Sequence, residues 1–269
     1  MNINIKLLNI LSDNIEQYII SIISLSSFGA ITDKELIKIQ NKVLIKYNIT
    51  INLQIIASII STYKKDYIIK HYYRLSKYQK YILDNYKSKG IIYLVYKIKL
   101  SPMTILRFIF SKTYNKKLRE LISNNLLNTF DKQQLNISID NDIYANLDQT
   151  TQSIESLKFE KQIENYLIKH NIKYITQEDL TKEQIIKYNH AINTPDFLIK
   201  SNLIINNHKI NWIDAKNFYG SNINFVKDKI NKQIKKYIKE YGSGCIIFNH
   251  GFNSEIQFNN VLILDYDSL

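Results

Sequence analysis

The chain has 269 residues, 45% of them hydrophobic and 22% charged, enough to bury one large core or two ordinary ones and too apolar for global disorder. Lys and Arg outnumber Asp and Glu by 36 to 24, and the resulting net charge of +12 points to a polyanionic partner, with nucleic acid ahead of a membrane surface. The single cysteine, Cys245, excludes an internal disulfide and a cysteine-based zinc site.

The longest apolar run, 18–31, is interrupted by serines and too short to span a bilayer, and no signal-peptide pattern opens the chain. The chain is therefore expected to be soluble and intracellular, with no membrane partner: nuclear in a eukaryotic cell, otherwise cytoplasmic or viral. Charge divides it unevenly. Residues 1–150 hold 21 Lys+Arg against 11 Asp+Glu, whereas 151–269 hold 15 against 13. Within 42–119 there are 17 basic residues and two acids, Asp66 and Asp84, interleaved with tyrosines from Tyr63 to Tyr96. Cations among aromatic rings suit phosphate contact and base stacking; a solvated helical surface with tyrosines in the core has the same composition.

The first half reads as helical. Thr32 and Glu35 form a capping box before a helix reaching Tyr47. A second helix is expected over 52–61 and another through the lysine- and tyrosine-rich stretch, then an interruption at Gly90 and a short segment, 91–98. Ser101-Pro102 is an N-cap followed by proline at the first helical position. One helix is expected from Met103 to Leu127, carrying Arg107, Lys112, Lys116, Lys117 and Arg119 as candidate nucleic-acid contacts. Short helix, turn and longer basic helix is the helix-turn-helix arrangement, which any small helical bundle also approaches. The chain turns polar and acidic over 131–156, with Asp140, Asp142 and Asp148, and the boundary of a basic helical domain, 1–150, is placed there.

The second half, 151–269, opens with a helix over 154–170 whose apolar stripe is Phe159, Ile163, Tyr166 and Leu167, with Glu160 and Glu164 along its edge. A short strand, 172–175, and a small helix from Thr181 follow. Residues 194–216, TPDFLIKSNLIINNHKINWIDAK, read as two strands joined at Asn206-Asn207, since asparagine tolerates positive φ. Asp214 and Lys216, two apart, share a strand face, and the hairpin returns Asp214 to the neighbourhood of Asp196. Two carboxylates and an ammonium at one spot suit a hard divalent cation and an oriented water. PD followed by DxK also fits a surface hairpin with scattered charges. A basic helix over 224–241, with an Ile230, Ile234 and Tyr237 face and Gln233 beside it, precedes strands at 245–248 and 261–264. That order describes a mixed sheet flanked by helices.

Glu160, Pro195-Asp196, Asp214-Ala215-Lys216 and Gln233 resemble the PD-(D/E)xK nuclease core, αβββαβ and restriction-endonuclease-like. More narrowly, KYITQEDL, NTPDFLI, HKINWIDAKNFYG and YGSGCIIFNHGF resemble the TPD-motif proteins, whose animal members are called codanin-interacting nuclease. The likeness covers 155–265 well and extends loosely into the helical half; Asp214 stands where the animal proteins carry Glu. The resemblance implies Mg²⁺-dependent (or Mn²⁺-dependent) hydrolysis of DNA phosphodiesters. It implies Asp196, Asp214, the Ala215 carbonyl and Glu160 as metal ligands and Lys216 as the group orienting water. It also implies Gln233 and Lys236 contacting the scissile strand, and a codanin-like protein as partner; Lys232, beside them on the basic helix, is a further candidate nucleic-acid contact. The alternative is a non-catalytic DNA-binding or chromatin-associated interaction protein on the same scaffold.

Overall fold

Two asparagines turn the expected hairpin: Asn206 and Asn207 adopt φ of 46° and 63° in the computed structural model, which describes residues 1–25, 27–145 and 150–269. In chain order the elements are β1 (Asn2–Ile3), β2 (Ile10–Leu11), α1 (Asp13–Ser21), α2 (Asp33–Tyr47), α3 (Leu53–Lys70), α4 (Arg74–Lys77), α5 (Gln79–Ile98), α6 (Pro102–Tyr114), α7 (Leu118–Ser123) and α8 (Thr129–Asp140). Then come α9 (Thr150–Lys169), β3 (Tyr174–Thr176), α10 (Gln177–Tyr188), β4 (Phe197–Ile205), β5 (His208–Lys216), α11 (Asn224–Tyr241), β6 (Gly244–Phe248), β7 (Phe252–Asn253) and β8 (Val261–Asp265). The fold is mixed α and β.

Local chemistry sets the helix ends. The Thr32–Glu35 capping box forms in both directions, and Asn48 closes α2 in the left-handed region. Ser101 caps α6 with Pro102 behind it. Gly90, at φ 73° and ψ 177°, is non-helical and divides α5 into two helical segments across a kink, as the glycine leads one to expect. Other expectations need correction. Leu53–Lys70 is one unbroken helix, α3, capped by Asn52. The single helix expected from Met103 to Leu127 is two: Asn115, at φ 51°, stops α6 at Tyr114, and α7 restarts at Leu118. Farther on, the predicted start at Thr181 is overtaken by Thr176, whose hydroxyl accepts from the Asp179 amide at 3.2 Å and opens α10 at Gln177.

The main sheet runs β1-β4-β5-β6-β8, with β3 pairing antiparallel along the other end of β4. The β4–β5 hairpin is antiparallel, while β5–β6 and β6–β8 are parallel, so α11 supplies the crossover that parallel neighbours require. The first residues of the chain join this side of the molecule: β1 lies parallel to β4, and β2 parallel to β7. The division expected near residue 150 adjoins 146–149, Asp148 among them, which lie outside the described residues.

Both faces of the sheet are covered. On one, Phe159, Ile163 and Leu167 of α9 pack with Ile213, Cys245 and Ile247. On the other, Val226, Ile230, Ile234 and Tyr237 of α11 pack with Trp212, Ile246 and Phe248. The helices before residue 145 build two further cores, one around Ile82, Leu94 and Leu106, the other around Ile19, Ile56 and Ile59. Among the described residues no helix is long and apolar enough to cross a membrane.

Trp212 is fully buried, and its ring lies flat against Gly244 of the neighbouring strand, where a Cβ would stand 2.1 Å from the indole. Its Nε1 donates to the Gly242 carbonyl at 2.9 Å. Gly244→Ala is expected to destabilise the fold by about 1–3 kcal/mol, the usual range for forced overpacking. Urea unfolding measures this, and an alanine variant as stable as the parent would contradict the close approach.

Candidate active site

The β4–β5 register pairs Phe197 with Ile213, which sets Asp196 opposite Asp214 one step farther along the hairpin. Opposed residues share a sheet face. Trp212, Asp214 and Lys216 alternate onto the face that α11 covers. Hydrophobic packing on the two sides of the sheet thus forces the acids under a helix. Asp214 is 1% exposed.

The contacts form one connected set. Asp196 Oδ2 accepts from the Ala215 amide at 2.6 Å. Asp214 Oδ2 makes an ion pair with Lys216 but has no aligned hydrogen-bond donor. Lys216 Nζ donates to Gln233 Oε1 at 3.0 Å. The Gln233 amide donates to Asp214 Oδ1 at 3.3 Å and to the Tyr237 hydroxyl at 2.8 Å, and Tyr237 donates in turn to the Thr194 carbonyl at 3.3 Å. Through Gln233 and Tyr237, α11 links Asp214 and Lys216 to Thr194, while Asp196 is tied to β5 by the Ala215 amide.

Electrostatics mark the same place. Burial, and then the charge of Asp214, push the Asp196 carboxyl up to about 8. Burial also raises Asp214, against the opposing pull of the Lys216 ammonium, so the ion pair does not offset desolvation. Glu160 comes from α9, on the other side of the sheet, and its carboxyl is raised by burial and by Asp214. Its field reaches Asp196 as well.

Of the expected residues, the structure joins Asp214, Lys216 and Gln233 by direct contacts, ties Asp196 to the same strand through the Ala215 amide, and couples Glu160 to the acids by charge. Ala215 presents its N–H to Asp196. Lys232 and Lys236 are on α11, flanking Gln233 in sequence. The helical-half cations do not line one helix: Arg107 and Lys112 are on α6, whereas Lys116 and Lys117 fall in the link to α7. Lys112 lies over the Phe108 ring, and Lys116 pairs with Glu120 at 3.1 Å. Tyr237, which the apolar pattern of α11 marks only as a core residue, also joins Gln233 to Thr194 through its hydroxyl. The i,i+4 spacing from Gln233 carries that signal.

A buried carboxylate, Asp214, opposite a half-buried one, Asp196, is a donor set that suits a hard divalent cation. Among the described residues, however, no three His, Cys, Asp or Glu side chains form a ready metal-binding group. The fit is to two carboxylates, with Glu160 close enough to be felt electrostatically.

A family model described as "Protein of unknown function TPD sequence-motif" matches residues 127–267. An uncharacterized protein of Acanthamoeba polyphaga mimivirus is 32% identical over 110 residues, which are 41% of this chain. The chain covers 40% of that relative's length. No solved structure matches.

The raised Asp196 carboxyl has a consequence for stability. The folded state keeps a proton that the unfolded chain releases above its ordinary value of 3.8, so this group's contribution falls as pH rises toward about 8. Asparagine at 196 still accepts from the Ala215 amide and carries no charge. Asp196→Asn is therefore expected to melt above the parent at pH 8.5 and close to it at pH 4.5, in thermal unfolding with EDTA present. A difference that is the same at both pH values would contradict the raised carboxyl.

Proposed function

The chain belongs to the TPD sequence-motif family, and we propose that it is a metal-dependent DNA endonuclease that hydrolyses phosphodiester bonds at the Asp196–Asp214–Lys216 site. The observation that carries this is the opposed pair of carboxylates, Asp214 buried and Asp196 half-buried, with an ammonium two residues on, held by a glutamine from the covering helix. We read α9, β3, β4, β5, α11 and β6 as the αβββαβ core of the PD-(D/E)xK superfamily, with α10 inserted before β4. The protein then works inside the cell, on DNA drawn by its positive charge.

Mg²⁺ or Mn²⁺ held by Asp196 and Asp214, with Glu160 and the Ala215 carbonyl completing the set, would supply Lewis-acid activation of water and neutralise phosphate charge. Lys216 then orients the attacking water and faces the charge that grows on the phosphate oxygens as the P–O bond to the leaving group breaks. Gln233 fixes the Lys216 ammonium, and Tyr237 fixes Gln233. Lys232 and Lys236, on the same helix as Gln233, contact the strand being cut. Arg107, Lys112, Lys116 and Lys117, with the helix-turn-helix-like reading of the helical half, supply further DNA contacts.

A second reading, a DNA-binding or chromatin-associated protein without catalysis, is favoured by one observation: Lys216 already sits on Asp214 in place of a third acidic ligand. Cleavage assays on linear, branched and single-stranded DNA with Mg²⁺ and Mn²⁺ separate the two. The nuclease reading expects cleavage that disappears in Asp214→Asn. In Lys216→Met it expects a loss of about 10²-fold or more, the scale of removing one preorganised charge, with DNA affinity little changed. No cleavage by the parent on any of these substrates would favour the binding protein. Equal losses of affinity and rate in Lys216→Met would make that lysine a phosphate contact only.

A further inference from the structure

A concave pocket of about 310 Å³ lies where α4 meets the end of α5, lined by Tyr73, Arg74, Lys77, Tyr78, Lys97 and Lys99. Its size falls at the lower end of ligand pockets, which run from about 300 to 1,000 Å³. It has four cations and two tyrosines, and no acid lines it. Among the described residues none of the four cations pairs with a carboxylate. Arg74 is fixed in place, donating to the Tyr67 hydroxyl at 2.8 Å and to the Ile98 carbonyl at 3.2 Å. That second bond satisfies a helix-end carbonyl that would otherwise repel an anion.

The backbone adds an independent observation. Among the described residues, every non-glycine residue at positive φ is asparagine, with one exception: Lys99, at φ 56°. Asparagine takes this conformation because its short polar side chain tolerates it; lysine has no such advantage. At the helix ends and the turn formed by Asn48, Asn115, Asn189, Asn206 and Asn207 the chain uses the residue that fits. At the pocket it carries a strained lysine, and strain of this kind gathers at functional positions.

The tyrosines divide in the same way. Tyr86 and Tyr114 are structural, donating to the buried Asp131. Tyr73 and Tyr78 are exposed, at 59% and 40%, at the pocket rim. A phosphate among the cations would leave the adjoining base within reach of an aromatic face, and base faces are free only in unpaired strands.

We infer that this pocket is a binding site for single-stranded nucleic acid, with a backbone phosphate held by Arg74, Lys77, Lys97 and Lys99 and a base stacked on Tyr73 or Tyr78. It takes from the proposed function only the choice of nucleic acid as partner. It uses none of the residues around Asp214, and its test involves no cleavage.

The test is fluorescence anisotropy of a labelled oligothymidylate and of a duplex of equal length, both in EDTA, with folding checked by circular dichroism. Lys77→Glu with Lys97→Glu should weaken single-strand binding by about tenfold or more and flatten the log–log salt slope by roughly 0.7 for each phosphate no longer neutralised. Tyr78→Leu should weaken it by about fivefold or more, the scale of removing one stacked base, and narrow the preference over duplex. Lys99→Asn gives a paired outcome that packing alone would not produce. Affinity should fall by about fivefold near 0.1 M salt while the melting temperature rises by about 2–4 °C as the strain is relieved. Unchanged affinity and slope in the charge-reversed variant would overturn the site. Duplex bound as tightly as single strand, with Tyr78→Leu neutral, would overturn the stacked base. An inactive nuclease site would leave all these readings in force.

Discussion

Two carboxylates face each other beneath a helix, and much of the rest of the structure can be understood from the difficulty of keeping them there. The antiparallel register of β4 and β5 leaves Asp196 and Asp214 no choice of position. Alternation then fixes Lys216 on the same face, next to the acid it pairs with. One ammonium does not offset the burial of two acids, which is why both carboxyls are raised. Such an arrangement adds little to stability, since well-packed apolar residues of similar volume would serve the fold as well or better. Perturbed acids beside a lysine are one sign of chemistry, and here they accompany the geometry on which the nuclease proposal rests.

The surrounding structure acts as a clamp. Gln233 touches Asp214, Lys216 and Tyr237 at once, so a single helix position sets the geometry of the site. The loop that follows Lys216 is fastened from the far end of the sequence. Glu16 of α1 is fully buried and takes hydrogen bonds from Ser221, Asn222 and Asn253, and Asp13 from Asn222 and Asn253. The Tyr219 amide donates to Ser58 of α3 at 2.7 Å. The first helices of the chain are thereby tied to the segment leaving the site, which limits how far the Lys216 end of β5 can drift.

Local signals make much of this readable. The Asn206-Asn207 turn, the Thr32 capping box and the Ser101-Pro102 start each rest on a few adjacent residues, and each forms as expected. Strand period and turn position are enough to bring Asp196, Asp214 and Lys216 together. Helix breaks are harder, because an asparagine such as Asn115 is only one of many in this chain, and its neighbours keep a helical apolar pattern. The Glu16 network lies beyond any local rule, since its partners are more than 200 residues away. Tyr237 is hidden for another reason: a residue can belong to the apolar face by its ring and to the site by its hydroxyl.

The central claim is that the Asp196–Asp214 carboxylate pair is built to take a divalent cation. Calorimetric titration with Mn²⁺ at pH 7.5, in two buffers of different ionisation enthalpy, tests it most directly. The account predicts binding of one ion accompanied by proton release, because the cation displaces the proton that burial keeps on Asp196. Both the binding and the release should vanish or be much reduced in Asp196→Asn. No binding, or binding without proton release that is indifferent to Asp196→Asn, would contradict it.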